Sequence, residues 1–151
     1  MSNGVFEQMA ELLRETFEGA RPGEGTQYLD HDSGIRSTLR RLSAEQASHR
    51  HGNHPSIAAH VRHMMFHLRV SHEWIMGDTR KRDWLASFEP QAVTDAEWRQ
   101  LQQQFEATRE EFLRVMRSLP AEKLVAEGAG MGSIAHLAYH LGAIRQLLPP
   151  G

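Results

Sequence analysis

The sequence predicts an all-α fold, a four-helix bundle, on three observations. Apolar residues recur at alternating spacings of three and four in four long segments, those segments are bounded by capping and breaking residues, and strand-like alternation appears nowhere convincingly. At 151 residues the chain suits one domain with a real core and is too short for two comfortable ones, so residues 1–151 are taken as a single domain.

Val5, Phe6, Met9, Leu12, Leu13 and Phe17 form the first stripe, which stops near residue 19 where Gly19, Pro22 and Gly23 break the helix. A linker through Gly25 leads to Ile35, Leu39 and Leu42, a shorter amphipathic segment. Ser43-Ala44-Glu45-Gln46 then has the form of a capping box that resumes a helix after an interruption. His49-Arg50-His51-Gly52-Asn53-His54 is polar and reads as a loop. Pro55 suits the first position of the second long helix, because its missing N–H would be unpaired there anyway. That helix carries Ile57, Val61, Met64, Leu68 and Ile75, with Ser71 completing the alternation, and Gly77-Asp78 marks its end. After a loop containing Trp84 and Pro90, Thr94-Asp95-Ala96-Glu97 is a second capping box, its acidic residues also favoured at the positive end of the helix dipole. Trp98, Leu101, Phe105, Thr108, Phe112, Val115 and Leu119 follow without a slip, the clearest seam in the chain, until Pro120 prevents simple continuation. Gly128-Ala129-Gly130-Met131-Gly132 reads as a flexible lead-in to a last helix striped by Ile134, Leu137, Leu141, Ile144 and Leu148.

Composition narrows the function. The formal net charge is -2, so the basic surface that phosphate backbones demand is missing and nucleic acid is not expected as a partner. The chain has no cysteine, which removes disulfides, thiolate metal ligands and a cysteine nucleophile; a reactive thiol would have to arrive with the substrate. The N-terminus lacks the basic start and apolar run of a secretory signal, and no segment has the apolar length of a membrane span. The expectation is a soluble cytoplasmic protein with no membrane partner.

Ten histidines stand out. His49, His51 and His54 sit in the polar loop and read as solvent-exposed, as do His31 and His72. His136 and His140 differ, being four apart on a helix that is otherwise apolar and small. Burying an imidazole without a partner costs about 1–3 kcal/mol, so each needs a hydrogen bond or a metal. Two histidines at this spacing project from one helix face, and a third from another helix would complete a three-imidazole site with open coordination positions. The plainer alternative is a pair of core histidines satisfied by carbonyls or waters. For the third ligand, His60 and His67 flank the apolar stripe of the second helix and His63 lies further round. Periodicity therefore favours His60 or His67, but the choice depends on helix crossing, which a helical wheel does not supply.

Ser56-Ile57-Ala58-Ala59-His60-Val61-Arg62-His63 resembles the segment of the DinB/YfiT-like superfamily in which a Ser or Thr opens the second helix and a metal-binding histidine follows seven residues later. His136-Leu137-Ala138-Tyr139-His140-Leu141-Gly142 is similar to that superfamily's closing motif, two histidines four apart with a glycine two residues after the second. The resemblance implies a four-helix bundle that binds a divalent ion, commonly zinc or nickel. Carried onto this sequence, it makes His63, His136 and His140 the ligands. It further implies a low-molecular-weight thiol, of the bacillithiol or mycothiol kind, or a water as the attacking group, and a small electrophile as substrate, as in the superfamily's thiol-dependent S-transferases. Three neutral imidazoles would leave the ion its full charge, which lowers the pKa of a coordinated thiol or water into the physiological range. Many relatives carry a glutamine right after the closing glycine; here that position is Ala143, so any contact through that amide is absent.

Near such a site Tyr139, Arg145 and Glu73 each have a stronger ordinary role, as a packed ring with its hydroxyl at the surface, a dipole-favoured cation and a solvated charge. No catalytic residue is assigned. Trp74, Trp84 and Trp98 read as core or loop-packing residues before they read as a substrate wall. The competing class is a non-catalytic bundle, a stress-related interaction protein in which the ion ties the second and fourth long helices together. A homodimer is expected, since members of the superfamily often pair through bundle faces and the Met64-Met65-Phe66 run spreads apolar surface around the second helix.

Overall fold

The computed structural model describes residues 4–126 and 129–151, and within them the chain is helical with no β-strand. In order the helices are α1 (Gly4–Glu18), α2 (Ile35–Arg40), α3 (Ala44–Ser48), α4 (Ile57–Ile75), α5 (Asp95–Arg117), α6 (Ala121–Ala126) and α7 (Ala129–Gln146), with a single 3₁₀ turn at Ala86–Phe88 between α4 and α5. The four long ones, α1, α4, α5 and α7, make the bundle. Helix α4 packs against α5 on one side and α7 on the other, and α1 closes the ring against both. No helix among the described residues is long and apolar enough to cross a membrane.

Each long helix buries the stripe that its spacing indicates. Phe17, Leu13, Phe105, Phe112, Leu68 and Leu141 are all buried at the centre, and Phe17 meets Phe105 edge-on at 4.9 Å between ring centroids. Trp98 is buried as well, its indole N–H donating to the Leu42 carbonyl at 3.0 Å, which joins the start of α5 to the α2–α3 connection. Trp74, by contrast, is 59% exposed and belongs to no core. Met64 and Met65 are buried within this chain, so of the apolar run on α4 only Phe66 keeps partial exposure.

Both capping boxes form. Ser43 Oγ accepts from Gln46 N while Gln46 Oε1 accepts from Ser43 N, and Thr94 Oγ1 and Glu97 Oε2 exchange the same pair of bonds at the start of α5. Thr94→Ala is expected to lower stability by about 1 kcal/mol, read as a lower urea midpoint with an unchanged m-value. An unmoved midpoint would mean that water replaces the cap without loss.

Four local readings change. Helix α4 starts at Ile57 with Ser56 as its N-cap, so Pro55 precedes the cap instead of occupying the first helical position. Pro120 ends α5 but also starts α6, because its carbonyl accepts from Lys123 N and Leu124 N, the first bonds of the new helix. Of the glycine-rich stretch, Gly128 lies outside the described residues, whereas Gly130 and Gly132 are helical, within the first turns of α7. A Cβ on Gly130 would lie 2.1 Å from the Met9 methyl, so this glycine lets α7 approach α1 closely. Leu119 and Leu148 continue their stripes beyond the ends of α5 and α7.

The long α1–α2 connection is organised by backbone contacts more than by apolar packing. Gly19 takes φ +76° to leave α1, and a Cβ on Gly34 would fall 2.8 Å from Gly19 N and 3.1 Å from the Phe17 carbonyl oxygen. Backbone cannot retreat as a flexible side chain can, so glycine is required where α2 begins.

Candidate metal centre

Helices α4 and α7 meet along a polar seam running in opposite directions on the two helices. Ser71, His67, His63 and His60 follow one another down α4 at spacings of four, four and three; Ser133, His136 and His140 climb α7 at three and four. Residues at these spacings share a helix face, and the two stripes interlock. Ser133 Oγ donates to Ser71 Oγ at 2.9 Å. The His67 and His136 rings stack at 3.7 Å with 13° between their planes. His63 Nε2 faces His136 Nε2 at 3.0 Å, and His60 Nδ1 faces His140 Nδ1 at 2.9 Å. Five imidazoles thus occupy one layer between the two helices.

His63, which the wheel leaves on the outer side of α4, is 7% exposed, as are His60 and His140. A loop distant on the wheel covers that side. The segment between α4 and α5 is held at both ends: Arg82 donates to Glu73 Oε2 at 2.7 Å and to the Asp78 carbonyl, while Ser56 bonds Gln91 twice and Val93 N donates to Ser48 Oγ. Between these anchors the 3₁₀ turn lays Phe88 flat on His63, ring centroids 4.0 Å apart, and brings Ser87 Oγ to 2.7 Å from His63 Nδ1. Trp84 stands edge-on to His63 and against His67, half open to solvent. Ser56, the residue that opens the motif, is fully buried. Its hydroxyl accepts from Ala59 N to cap α4 and donates to the Gln91 carbonyl, so it sets both the start of the helix and one end of the covering loop.

The electrostatics follow from burial and from the neighbouring imidazoles. Desolvation pushes His136 and His140 down to about 3 and His60 and His67 to about 4, the neighbouring imidazoles adding a smaller push in the same direction; burial also lowers His63. At neutral pH all five rings are uncharged, and each has one nitrogen lone pair to place. His136 Nδ1 is buried and has no hydrogen-bond partner. His63, His136 and His140 each bring one ring nitrogen to within 4.8 Å of the other two.

A divalent ion of borderline softness fits this donor set. Among the described residues three imidazoles bring ring nitrogens together, and an orphaned ring nitrogen is left inside the protein. His31, His49, His51 and His54 are exposed and lie outside the cluster, and His72 also takes no part. Tyr139 is 74% exposed with its ring edge against His140, Arg145 donates to Thr38 Oγ1, and Glu73 is tied up by Arg82, so none of the three presents a free acid or base to the histidines. Sequence reasoning treated His60, His63 and His67 as rivals for one position. The matching polar stripes, serine and histidines on both helices, are the signal that all three belong to one layer.

Residues 27–144 match the sequence profile described as the DinB superfamily. No curated protein and no solved structure matches the chain.

Proposed function

The chain belongs to the DinB superfamily, and from that premise we propose that it binds one divalent ion, zinc or nickel, through His63, His136 and His140. The observation that carries this reading is the convergence of three uncharged ring nitrogens, with no carboxylate grouped with them among the described residues. When bound, such an ion supplies a Lewis acid that lowers the pKa of a low-molecular-weight thiol or a water for attack on a small electrophile. The protein's own part is to hold the three rings neutral and fixed. Stacking on Phe88 and His67 restrains His63 and His136, and desolvation keeps protons off the nitrogens that must donate.

Elemental analysis of purified protein tests the reading. Wild type is expected to carry one equivalent of ion and His63→Ala to lose it, with His60→Ala retaining stoichiometric metal. Metal-free wild type would sink the site, and loss from His60→Ala alone would sink this ligand set.

One observation favours a second reading, in which the ion is structural and ties α4 to α7. Phe88 lies face-on over His63 and within 6.3 Å of His140, and His60, His63 and His140 are almost fully covered. A nickel-loaded protein separates the two: a thiolate charge-transfer band on adding a low-molecular-weight thiol supports activation, and its absence together with a fall in Tm on chelation supports the structural role.

A further inference from the structure

Two residues outside the ligand set hold hydrogen bonds that decide which nitrogen the ligands offer. Ser87 has one hydroxyl proton, and it is given to the Trp84 carbonyl at 2.5 Å. Toward His63 Nδ1, 2.7 Å away, Ser87 Oγ therefore presents a lone pair, and Nδ1 must carry the proton. A neutral imidazole protonated at Nδ1 has a bare Nε2, and His63 Nε2 is the atom that faces His136. The same logic applies at the other end of the layer. His60 Nδ1 and His140 Nδ1 are 2.9 Å apart, and two ring nitrogens at that distance share one proton, so one donates and one accepts. If His140 donates, its Nε2 is bare; if it accepts, its Nε2 carries a proton and is useless as a ligand.

We propose that Ser87 and His60 are positioning residues that accept the Nδ1–H of His63 and His140, so that both rings present Nε2 to the ion. This rests on the three-histidine reading above. It also gives a role to His60, which would otherwise be a buried histidine with no function, and to the 3₁₀ turn, whose geometry places Ser87 where an outer acceptor is needed. In metal sites the second ring nitrogen is held by a carboxylate, carbonyl or water, and that partner fixes both tautomer and ring angle. Here a hydroxyl and an imidazole take that place, leaving the site without a negative charge.

The test uses the full chain. In metal-free wild type, two-bond ¹H–¹⁵N correlation spectra at neutral pH are expected to show His63 and His140 as Nδ1–H tautomers. In zinc titrations against a competing chelator, Ser87→Ala and His60→Ala are expected to weaken binding by about 10- to 100-fold at unchanged stoichiometry. Ser87→Thr, which keeps the oxygen, and His60→Gln, which keeps an acceptor, are expected to recover most of it. A general loss of structure would not be rescued in this selective way, and the tautomer spectra of wild type do not depend on any variant folding. Nε2–H tautomers at His63 and His140, or wild-type zinc affinity in both alanine variants beside a His63→Ala that no longer binds, would overturn this proposal while leaving the ligand set intact. Wild type that takes up no zinc would overturn the ligand set and, with it, the role given to Ser87 and His60.

Discussion

Glu15→Ala is expected to destabilise the protein by about 2–3 kcal/mol, although residue 15 belongs to neither the apolar core stripe nor the histidine layer. Glu15 is 1% exposed on α1. Its Oε2 accepts from Gln27 N at 2.7 Å and its Oε1 from Tyr28 N at 2.9 Å and Leu29 N at 3.0 Å. Burial alone would raise the carboxyl pKa, but three backbone N–H groups aimed at the charge outweigh it and hold the group below the usual carboxylate range. A carboxylate whose folded pKa is depressed contributes stability that is fully present above its unfolded value and fades as pH falls through the folded one. The loss in Glu15→Ala should therefore be largest at neutral pH and shrink in acid, read from urea midpoints at the two conditions. Glu15→Gln keeps an acceptor oxygen without the charge and should fall between. Equal midpoints for wild type and Glu15→Ala at neutral pH would show that the loop backbone rehydrates without loss and that this segment is not part of the cooperative unit.

The same contact marks where the sequence was silent. A glutamate on a helix reads as a solvated charge, and nothing in the linear pattern around residue 15 says that a loop twelve residues on will supply three donors. What was legible is the periodic part of the fold. Burying one face of a helix imposes spacings of three and four, and Trp98, Leu101, Phe105, Phe112 and Val115, or Ile134 through Ile144, satisfy them because those side chains end up inside. Caps were legible for a comparable reason: Ser43-Gln46 and Thr94-Glu97 are short-range chemistry, complete within four residues. Helix α6 does not show in the linear pattern because Pro120 reads as a terminator, although a proline carbonyl can equally accept the first bonds of a following helix.

At the site, the closing pair His136 and His140 could be read from composition, since two imidazoles on an otherwise apolar helix demand partners. Burial of His63 could not. A wheel ranks positions by their angle from one stripe and assigns the remainder to solvent, whereas Phe88 and Ser87, more than twenty residues further along the chain, cover the angle at which His63 points. The resemblance to a known motif pointed to His63 where periodicity favoured its neighbours. The geometry adds why the three need not compete: each α4 histidine meets a different part of the α7 pair.

Acidification is expected to unfold the metal-free protein before most of its carboxylates titrate. His60 and His67 are held at about 4 and His136 and His140 at about 3, against an ordinary value of 6.5, with desolvation as the main cause and mutual repulsion of the rings as the second. For a histidine whose folded pKa is depressed, the unfolded chain takes up the proton first, so stability is intact above about 6.5 and drains away as pH falls toward the folded value. Each such ring contributes about 1.4 kcal/mol per pH unit across that window. Domain stabilities are only about 5–15 kcal/mol, so a few rings acting together suffice to unfold the chain between about pH 4 and 6. Thermal midpoints followed by circular dichroism from neutral to mildly acid pH should fall steeply. His67→Gln, which removes one such ring and its stacking on His136 while keeping all three proposed ligands in the chain, should flatten the slope. Loading with zinc should raise stability at neutral pH and steepen the fall, because coordination needs the same deprotonated nitrogens and adds its own free energy to keeping them so. A metal-free protein whose midpoint stays level from pH 7 to 5 would mean that the rings are hydrated in solution, that Phe88 does not seal the layer, and that the site is open to small molecules in the way a thiol-activating centre requires.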